Sequence, residues 1–333
     1  MQALAPGVSW WYNWSPAPEA AVQSTYRAAG VNFVPLVWNG NFSVPQLVAN
    51  IPAGAGYLLG FNEPNFKDQA NMTPSEAAAK WPALTYVAQQ RGLLLGSPAV
   101  NYCGNCVAEN GVTYTDPVAY LDAFFAACPA CQVDFIAVHW YACDLGALQS
   151  YIGRFKKYGK PIWLTEFACG DLPAGQITVA RQKSYLSAAV AYLESEPAVA
   201  RYAWFSGRTG AIPNANLLGD SGQLTELGQL YVGLPAAVVT AAAPAAPAPV
   251  LNVLTDPASA APTVAVPALA ATAATYSVVL SDLAGRTVCA ADCAGRQLVA
   301  GYRLPLAGAL PAGVYVLRVR GAGLALTRKL LFR

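Results

Sequence analysis

Charge is what this sequence has least of. Charged side chains make up 11% of the 333 residues and nearly balance, at a formal net charge of +2. No Lys/Arg cluster is present, so there is no electrostatic footprint for nucleic acid or an anionic membrane. A neutral partner such as a polysaccharide suits such a surface. Histidine occurs once. One histidine and no HExxH-type pair leave too few ligands for a metal centre, and neither a metal nor another cofactor is expected. No glycine-rich phosphate loop follows any strand-like run, which argues against a dinucleotide fold. Long apolar runs are missing too. The most apolar tail stretch, Val264–Leu280, holds Pro267, Thr272 and Thr275 and makes a poor membrane span. Gln2–Gly7 lacks the basic start and apolar length of a secretory leader, which is expected to lie upstream or to have been removed.

Hydrophobic residues are plentiful, at 55%, enough to build a sizeable core and to exclude a disordered chain. Eight cysteines fall into local pairs, Cys103/Cys106, Cys128/Cys131, Cys143/Cys169 and Cys289/Cys293. That usage fits an oxidising compartment. The first four form two Cys-x2-Cys units separated by 21 residues. Inside a cell that spacing reads as a four-thiolate zinc site, and outside one as disulfides, closed within each unit or across them.

Through the first two thirds, apolar strand-like runs alternate with helical patterns. The strand candidates are Gly7–Trp14, Asn32–Trp38, Tyr57–Glu63, Leu93–Val100, Phe135–Tyr141, Ile162–Phe167 and Tyr202–Ser206. Helices are expected at Pro18–Ala29, Thr73–Gln90, Pro117–Ala127, Gln176–Leu193 and Leu224–Val232. Thr73-Pro-Ser-Glu76 has a capping hydroxyl, proline in the first turn and glutamate three residues on. Repeated strand–helix units with near-continuous apolar strands mean a parallel sheet. Seven such strands in about 230 residues favour a (β/α)8 TIM barrel, with the eighth strand unplaced. A doubly wound sheet is the alternative. Composition changes at Pro235. Residues 236–262 form an Ala/Pro-rich linker between a catalytic domain, 1–235, and a small antiparallel β-sandwich, 263–333. Strands of that domain are expected at Tyr276–Leu283, Arg296–Leu306, Val314–Arg320 and Leu324–Phe332.

In a barrel of this kind the site sits at the carboxyl ends of the strands. Two of the 18 acidic residues end buried strands there, Glu63 after Leu58-Leu-Gly-Phe61 and Glu166 after Ile162-Trp-Leu-Thr165. Facing carboxylates are what acetal cleavage needs, one to protonate the departing oxygen and one to attack the anomeric carbon. Either glutamate alone reads equally well as a capped or ion-paired structural acid. Two together, each ending an apolar run among aromatics, favour a site. A lone histidine is usually structural, but His139 ends a strand facing both acids and is assigned to the site. Sugar rings stack on indoles, so Trp14 and Trp38 at the ends of the first two strands are expected at the mouth, together with Trp204. Trp11 and Trp163 are assigned to packing.

Six ordered motifs resemble glycoside hydrolase family 128, the clan A β-1,3-glucanases on a (β/α)8 barrel. They are Gly7-Val-Ser-Trp-Trp-Tyr-Asn-Trp14, Phe33-Val-Pro-Leu-Val-Trp38, Leu59-Gly-Phe-Asn-Glu-Pro-Asn65, Leu95-Gly-Ser-Pro-Ala99, Asp134-Phe-Ile-Ala-Val-His-Trp-Tyr141 and Trp163-Leu-Thr-Glu-Phe-Ala-Cys169. The resemblance covers about Gly7–Val232. It implies a retaining hydrolase of β-1,3-glucan with Glu63 as acid/base and Glu166 as nucleophile. It also implies that Asn62 touches the sugar 2-hydroxyl and that His139 and Tyr141 line the site. In the clan these acids end strands four and seven, so one further early strand is expected. Endo action, a related clan A activity on another β-glycan such as mannan or cellulose, and non-hydrolytic glucan binding are the competing readings.

The tail is similar to a type IX secretion sorting domain, on Leu280-Ser-Asp-Leu-Ala-Gly-Arg286, Pro311-Ala-Gly-Val-Tyr-Val-Leu-Arg318 and Thr327-Arg-Lys-Leu-Leu-Phe-Arg333. An accessory sugar-binding sandwich is the alternative, and Cys289/Cys293 fall outside the sorting pattern. That resemblance implies a monomer secreted to, or held on, the surface of a Gram-negative bacterium, with the type IX machinery as partner. Secretion also favours a Cys143–Cys169 bridge over two buried thiols. Both cysteines leave neighbouring strands within a turn of the catalytic face, and neighbouring strands lie about 4.8 Å apart, within disulfide reach.

Overall fold

A computed structural model describes residues 2–235, 251–254, 262–266, 269, 273–306, 308 and 310–332. The chain divides into two compact units, Met1–Val238 and Val239–Arg333. No helix among the described residues is long and apolar enough to cross a membrane.

The first unit is a mixed α/β arrangement whose strands all run parallel apart from one hairpin. β1 (Trp10–Trp11) pairs with β2 (Asn32–Phe33), and a bridge from Leu36 to Leu59 continues to β3 (Tyr57–Leu58). β3 pairs with β4 (Leu94–Leu95). A hairpin, β5 (Ala108–Glu109) and β6 (Val112–Thr113), follows β4. Parallel bridges at Gly96–Phe135 and Val100–Val138 then lead to β7 (Ile136–Trp140), which pairs with β8 (Ile162–Phe167). β8 pairs in turn with β9 (Val199–Trp204). Setting the hairpin aside, each strand neighbours the next in the chain, so the parallel series never reverses direction. No backbone pairing from β9 back to β1 and no eighth strand occur among the described residues. The further early strand is likewise not found there.

The helices are α1 (Val44–Asn50), α2 (Pro74–Arg91), α3 (Pro117–Ala127), α4 (Leu145–Phe155), α5 (Val179–Ser195) and α6 (Glu226–Gly233). Their starts follow local chemistry. Thr73 caps α2 in a full capping box with Glu76, and Asp116, Asp144, Thr178 and Thr225 cap the four helices after it. The helix expected at Pro18–Ala29 is instead a succession of turns, such as Thr25 N–H to Val22 O and Gly30 N–H to Arg27 O. Only Pro18 and Tyr26 are buried in that stretch, so it has little packing to stabilise a helix.

Alternation along the strands divides their side chains between two cores. Leu58, Ile136, Val138, Ile162 and Leu164 pack with helical residues such as Trp81, Leu84 and Phe124. Their neighbours Leu59, Phe135, Ala137 and Trp163 join Trp10, Val34 and Leu36 in a cluster with no helical member. Burial on both faces explains the near-continuous apolar runs. Trp10 of the first strand touches Trp163 of the sixth, at 5.3 Å between ring centroids. Gly60 lets β3 approach closely, because a Cβ there would meet the Trp81 ring at 2.6 Å and Ser97 O at 2.9 Å.

The second unit has two antiparallel sheets around one core. One holds β12 (Thr275–Asp282), β13 (Thr287–Ala294), β15 (Gly313–Gly321) and β16 (Leu324–Phe332) in the order β13-β12-β15-β16. The other holds β10 (Asn252–Leu254), β11 (Thr263–Ala265) and β14 (Tyr302–Arg303). Three expectations change here. The expected linker stretches 236–250 and 255–261 lie outside the described residues, but 252–254 already form a strand of this unit. The strand expected at Arg296–Leu306 starts as a helix, α7 (Gly295–Ala300), held over the core by buried Leu298 and opened by Ala294 N–H donating to Gln297 Oε1 at 2.8 Å. Cys289 and Cys293 are unbonded on one strand. Four residues of strand separate them by about 13 Å, beyond the reach of a disulfide.

Candidate active site

The site forms where β3, β4, β7 and β8 end. Asn62 N–H bonds Trp38 O at 2.9 Å, and Glu63 N–H bonds Ala99 O at 2.8 Å, so the turn after β3 is pinned on both sides. Glu63 adopts φ of 41° and Trp14 φ of 56°, both in the left-handed region. Such conformations cost on the order of 1–3 kcal/mol for non-glycine residues and persist where the surroundings over-determine them. Between Val138 and His139 the β7–β8 register shifts, which sets His139 directly beside Glu166. Bulges of this kind re-aim side chains next to active sites.

His139 Nδ1 lies 2.9 Å from Glu63 Oε1 and 3.3 Å from Glu166 Oε2. A ring nitrogen of His139 and one carboxylate oxygen from each glutamate all lie within 4.8 Å of one another. Glu166 is ringed by donors. Tyr12 O–H reaches its Oε1 at 2.8 Å, Trp14 Nε1–H reaches the same oxygen at 2.7 Å, and Tyr141 O–H reaches Oε2. A carboxylate, which offers acceptors alone, is the complement of such a ring. Burial, then the charge of Glu166, pushes both tyrosines above the ordinary phenol range, so they stay donors. Glu63 is served differently. Its Oε1 takes both His139 and Asn101 Nδ2–H, the latter at 3.3 Å, while its Oε2 has no partner among the described residues. Glu63 also lines the cleft, so that free oxygen is the one available to an incoming group.

Burial disfavours the imidazolium of His139, but Glu166 and Glu63 together outweigh it and hold its pKa above 6.5. Because the chain has one histidine, its ring proton can be followed by NMR without ambiguity. The titration midpoint is expected above 6.5 in the wild type and lower in Glu166→Gln. A midpoint below 6.5 in the wild type would show that burial wins. A raised folded-state value also means that His139 stabilises the fold fully below the unfolded pKa. This contribution is lost as pH rises through the folded value.

A cleft of about 540 Å³ opens over the two acids. Trp14, Trp38, Asn62 and Tyr141 line it. His139 lies beneath, fully buried between the carboxylates. Trp204 is a correction. It is 6% exposed, donates from Nε1 to Ala215 O at 2.9 Å and packs on Phe167 in the core. The cleft wall is its neighbour Phe205, because adjacent residues at the strand end point to opposite sides. Asn62 donates to Gln69 Oε1 at 3.2 Å, and its own Oδ1 is buried without a partner among the described residues. Tyr12, Gln69 and Asn101 were not anticipated. Tyr12 stands two residues before Trp14 in the aromatic run that leaves β1, a signal the sequence carried. Gln69 and Asn101 arrive on loops and left none.

Cys143 and Cys169 are bonded across the loops after β7 and β8, at 4.3 Å between Cα atoms. Gly170 N–H to Tyr141 O, 2.7 Å, ties the same loops. Fully buried Gln182 of α5 grips both the N–H and the O of Cys169, and Pro213 O of the loop that follows β9. Cys103–Cys106 and Cys128–Cys131 each close within their own unit, so the four thiols form no common metal site. Among the described residues, Glu63, His139 and Glu166 are the one group able to hold a metal ion. An ion there would occupy the oxygens that acetal cleavage requires for proton and nucleophile.

Paired buried carboxylates beneath an aromatic-walled cleft define a glycoside hydrolase. The chain belongs to the glycosyl hydrolase catalytic core family, whose model matches residues 2–231. It is similar to a family 128 (subgroup II) endo-β-1,3-glucanase from Sorangium cellulosum, with 47% identity, 71% of this chain and 93% of that chain covered, and a TM-score of 0.64. It is also similar to a family 128 (subgroup I) endo-β-1,3-glucanase from Amycolatopsis mediterranei solved with laminaripentaose, with 32% identity, 69% and 92% covered, and a TM-score of 0.57. Alkali-sensitive linkage protein 1 of Schizosaccharomyces pombe is 32% identical over 231 residues, which are 68% of this chain and 40% of that relative. The chain therefore spans well under half the length of that curated relative.

Proposed function

We propose that this glycoside hydrolase cleaves β-1,3-glucan internally, by double displacement with retention. The observation that carries the mechanism is the close, unequal pair. A carboxyl separation of about 5–5.5 Å belongs to retaining enzymes, and a larger gap is needed to admit an attacking water. Here oxygens of Glu63 and Glu166 lie within 4.8 Å. Glu166 attacks the anomeric carbon while Glu63 gives its proton to the departing glycosidic oxygen, leaving a glycosyl ester on Glu166 and a free chain end. Glu63, now a base, takes a proton from water. The hydroxide adds to the anomeric carbon, and the ester bond to Glu166 breaks. Tyr12, Trp14 and Tyr141 stabilise the carboxylate that starts and ends the cycle. Asn62 faces the sugar with its unpartnered Oδ1, and Trp14 and Trp38 offer indole faces to the ring. Product analysis on soluble β-1,3-glucan, β-1,4-glucan and mannan tests the substrate. Oligosaccharides of β-1,3-linked glucose, first formed as the β anomer, are expected. Preference for either of the other polymers would move the enzyme to another clan A activity, inversion would overturn the double displacement, and binding without cleavage would leave a glucan-binding protein.

The same reading takes the non-reversing parallel series as a (β/α)8-type barrel, supported by the contact of Trp10 with Trp163. It takes the second unit as a type IX sorting domain, supported by the motifs around Asp282, Gly313 and Arg328. Such a protein is secreted to, or held on, a Gram-negative cell surface and acts there as a monomer. A chain ending at Val238 is expected to stay folded and active, on the strength of its own cores, but to remain inside the cell. Export of that shortened chain would refute the sorting role, and loss of activity would refute the independence of the unit.

A further inference from the structure

Glu63, His139 and Glu166 have the donor set of a metal site as well as that of a hydrolase. All three side chains are at least nine-tenths buried. His139 Nδ1 faces both carboxylates, at 2.9 Å from Glu63 Oε1 and 3.3 Å from Glu166 Oε2. Tetrahedral zinc, bound by nitrogen and oxygen at about 2.0–2.2 Å, holds its ligand atoms roughly 3.3 Å apart. Both separations are close to that edge. One oxygen of each glutamate lies within 4.8 Å of the other, a gap that an ion of charge +2 can draw in. The outer contacts fit too. Asn101 Nδ2–H holds Glu63 Oε1 and Tyr141 O–H holds Glu166 Oε2, and ligating carboxylates are themselves hydrogen-bonded in metal sites. Glu63 Oε2 has no partner among the described residues. Both glutamates line the cleft, which leaves room for water as a fourth ligand.

We propose that Glu63, His139 and Glu166 form an inhibitory site for a divalent transition-series cation, Zn2+ above all, which enters from the cleft and competes directly with the glucan. The inhibitory part rests on the β-1,3-glucanase reading. The ion takes one lone pair from His139 Nδ1, one from a Glu63 oxygen and one from a Glu166 oxygen. The proton carried by Nδ1 leaves to solvent, and no other bond breaks. Glu63 can then neither give nor take a proton, and Glu166 has no free lone pair for the anomeric carbon. The two carboxylates balance the charge of the ion, so no uncompensated charge is left buried. An imidazole with two carboxylates suits zinc. Mg2+ and Ca2+ prefer six or more oxygen ligands, which this site does not assemble. Binding must displace the ring proton, and that cost makes the ion an exchangeable inhibitor.

The test titrates zinc chloride into wild-type protein first stripped with a chelator. Calorimetry should show saturable uptake. Because the chain has one histidine, its ring signals in the NMR spectrum should move with the same saturation. Cleavage of β-1,3-glucan should fall in step and recover with EDTA. It should also recover at saturating glucan, with KM raised and kcat unchanged. Mg2+ and Ca2+ at the same concentration should leave the ring signals and the rate alone. Losing a supporting contact costs a metal site about 10–100-fold in affinity, so Glu166→Gln, which loses a ligand charge, should weaken binding at least about tenfold. Failure to bind zinc, uptake with the His139 signals unmoved, inhibition that glucan does not relieve, or undiminished binding by Glu166→Gln overturns the proposal. Absence of β-1,3-glucan cleavage by the wild type would fail the broader reading instead, and calorimetry and the ring signals would still decide whether the site binds zinc.

Discussion

Glu166→Gln is expected to end hydrolysis of every substrate, with kcat falling by at least the upper end of the about 10²–10⁴-fold that one positioned proton-transfer group supplies. The exchange keeps the volume of the side chain and removes the nucleophile. It also places an amide nitrogen among Tyr12, Trp14 and Tyr141, three donors that need an acceptor. That mismatch should cost about 1–3 kcal/mol of stability, a smaller effect than the loss of rate, and no covalent glycosyl adduct should be trapped by mass spectrometry. Azide supplied to the smaller Glu166→Gly variant would attack from the vacated face and yield the α-glycosyl azide. Substantial polysaccharide cleavage by Glu166→Gln, read from reducing ends, would remove Glu166 from the mechanism.

Glu63→Ala is expected to behave differently, and the difference carries the assignment. On glucan, whose departing sugar hydroxyl needs a proton, the loss should be about 10²–10⁴-fold. On an aryl glucoside with a good leaving group the first step should be nearly untouched, because a phenolate departs unaided. Water activation then limits turnover, so the glycosyl adduct should accumulate, and azide should restore the rate and give the β-glycosyl azide. Equal losses on both substrates would make Glu63 a structural acid. With both residues present, the acid and base of a coupled pair predict a bell-shaped rate profile, and a flat profile from acid to alkaline pH would contradict the pairing.

Much of the site could be read from local pattern. Glu63 and Glu166 each end an apolar run too continuous for a half-exposed strand, and a carboxylate at such a position is conspicuous in a chain so poor in charge. Trp14, Trp38 and Tyr141 sit at the same strand ends and reach the same cleft. The helix caps at Thr73 and elsewhere are local chemistry and needed no tertiary information. Trp204 failed because its side depends on how the strand leaves the sheet, and parity at a strand end cannot be counted reliably from one chain. The tail failed at Gly295–Ala300 for a related reason, since a short apolar stretch becomes helix or strand according to what it covers.

The sequence by itself determined which residue types could do acid–base work, where the apolar runs end, and that two units differ in construction. These follow from periodicity and composition, which act over a few residues. Only the tertiary structure decided that one imidazole bridges both acids, because this depends on a register shift between β7 and β8. It also decided that Asn101 holds one oxygen of Glu63 and leaves the other open to the cleft, and that Tyr12 crosses from the first strand to Glu166. The Asn101 and Tyr12 contacts join residues 38 and 154 positions apart. Their geometry comes from the packing of the whole strand series, and no local pattern encodes it.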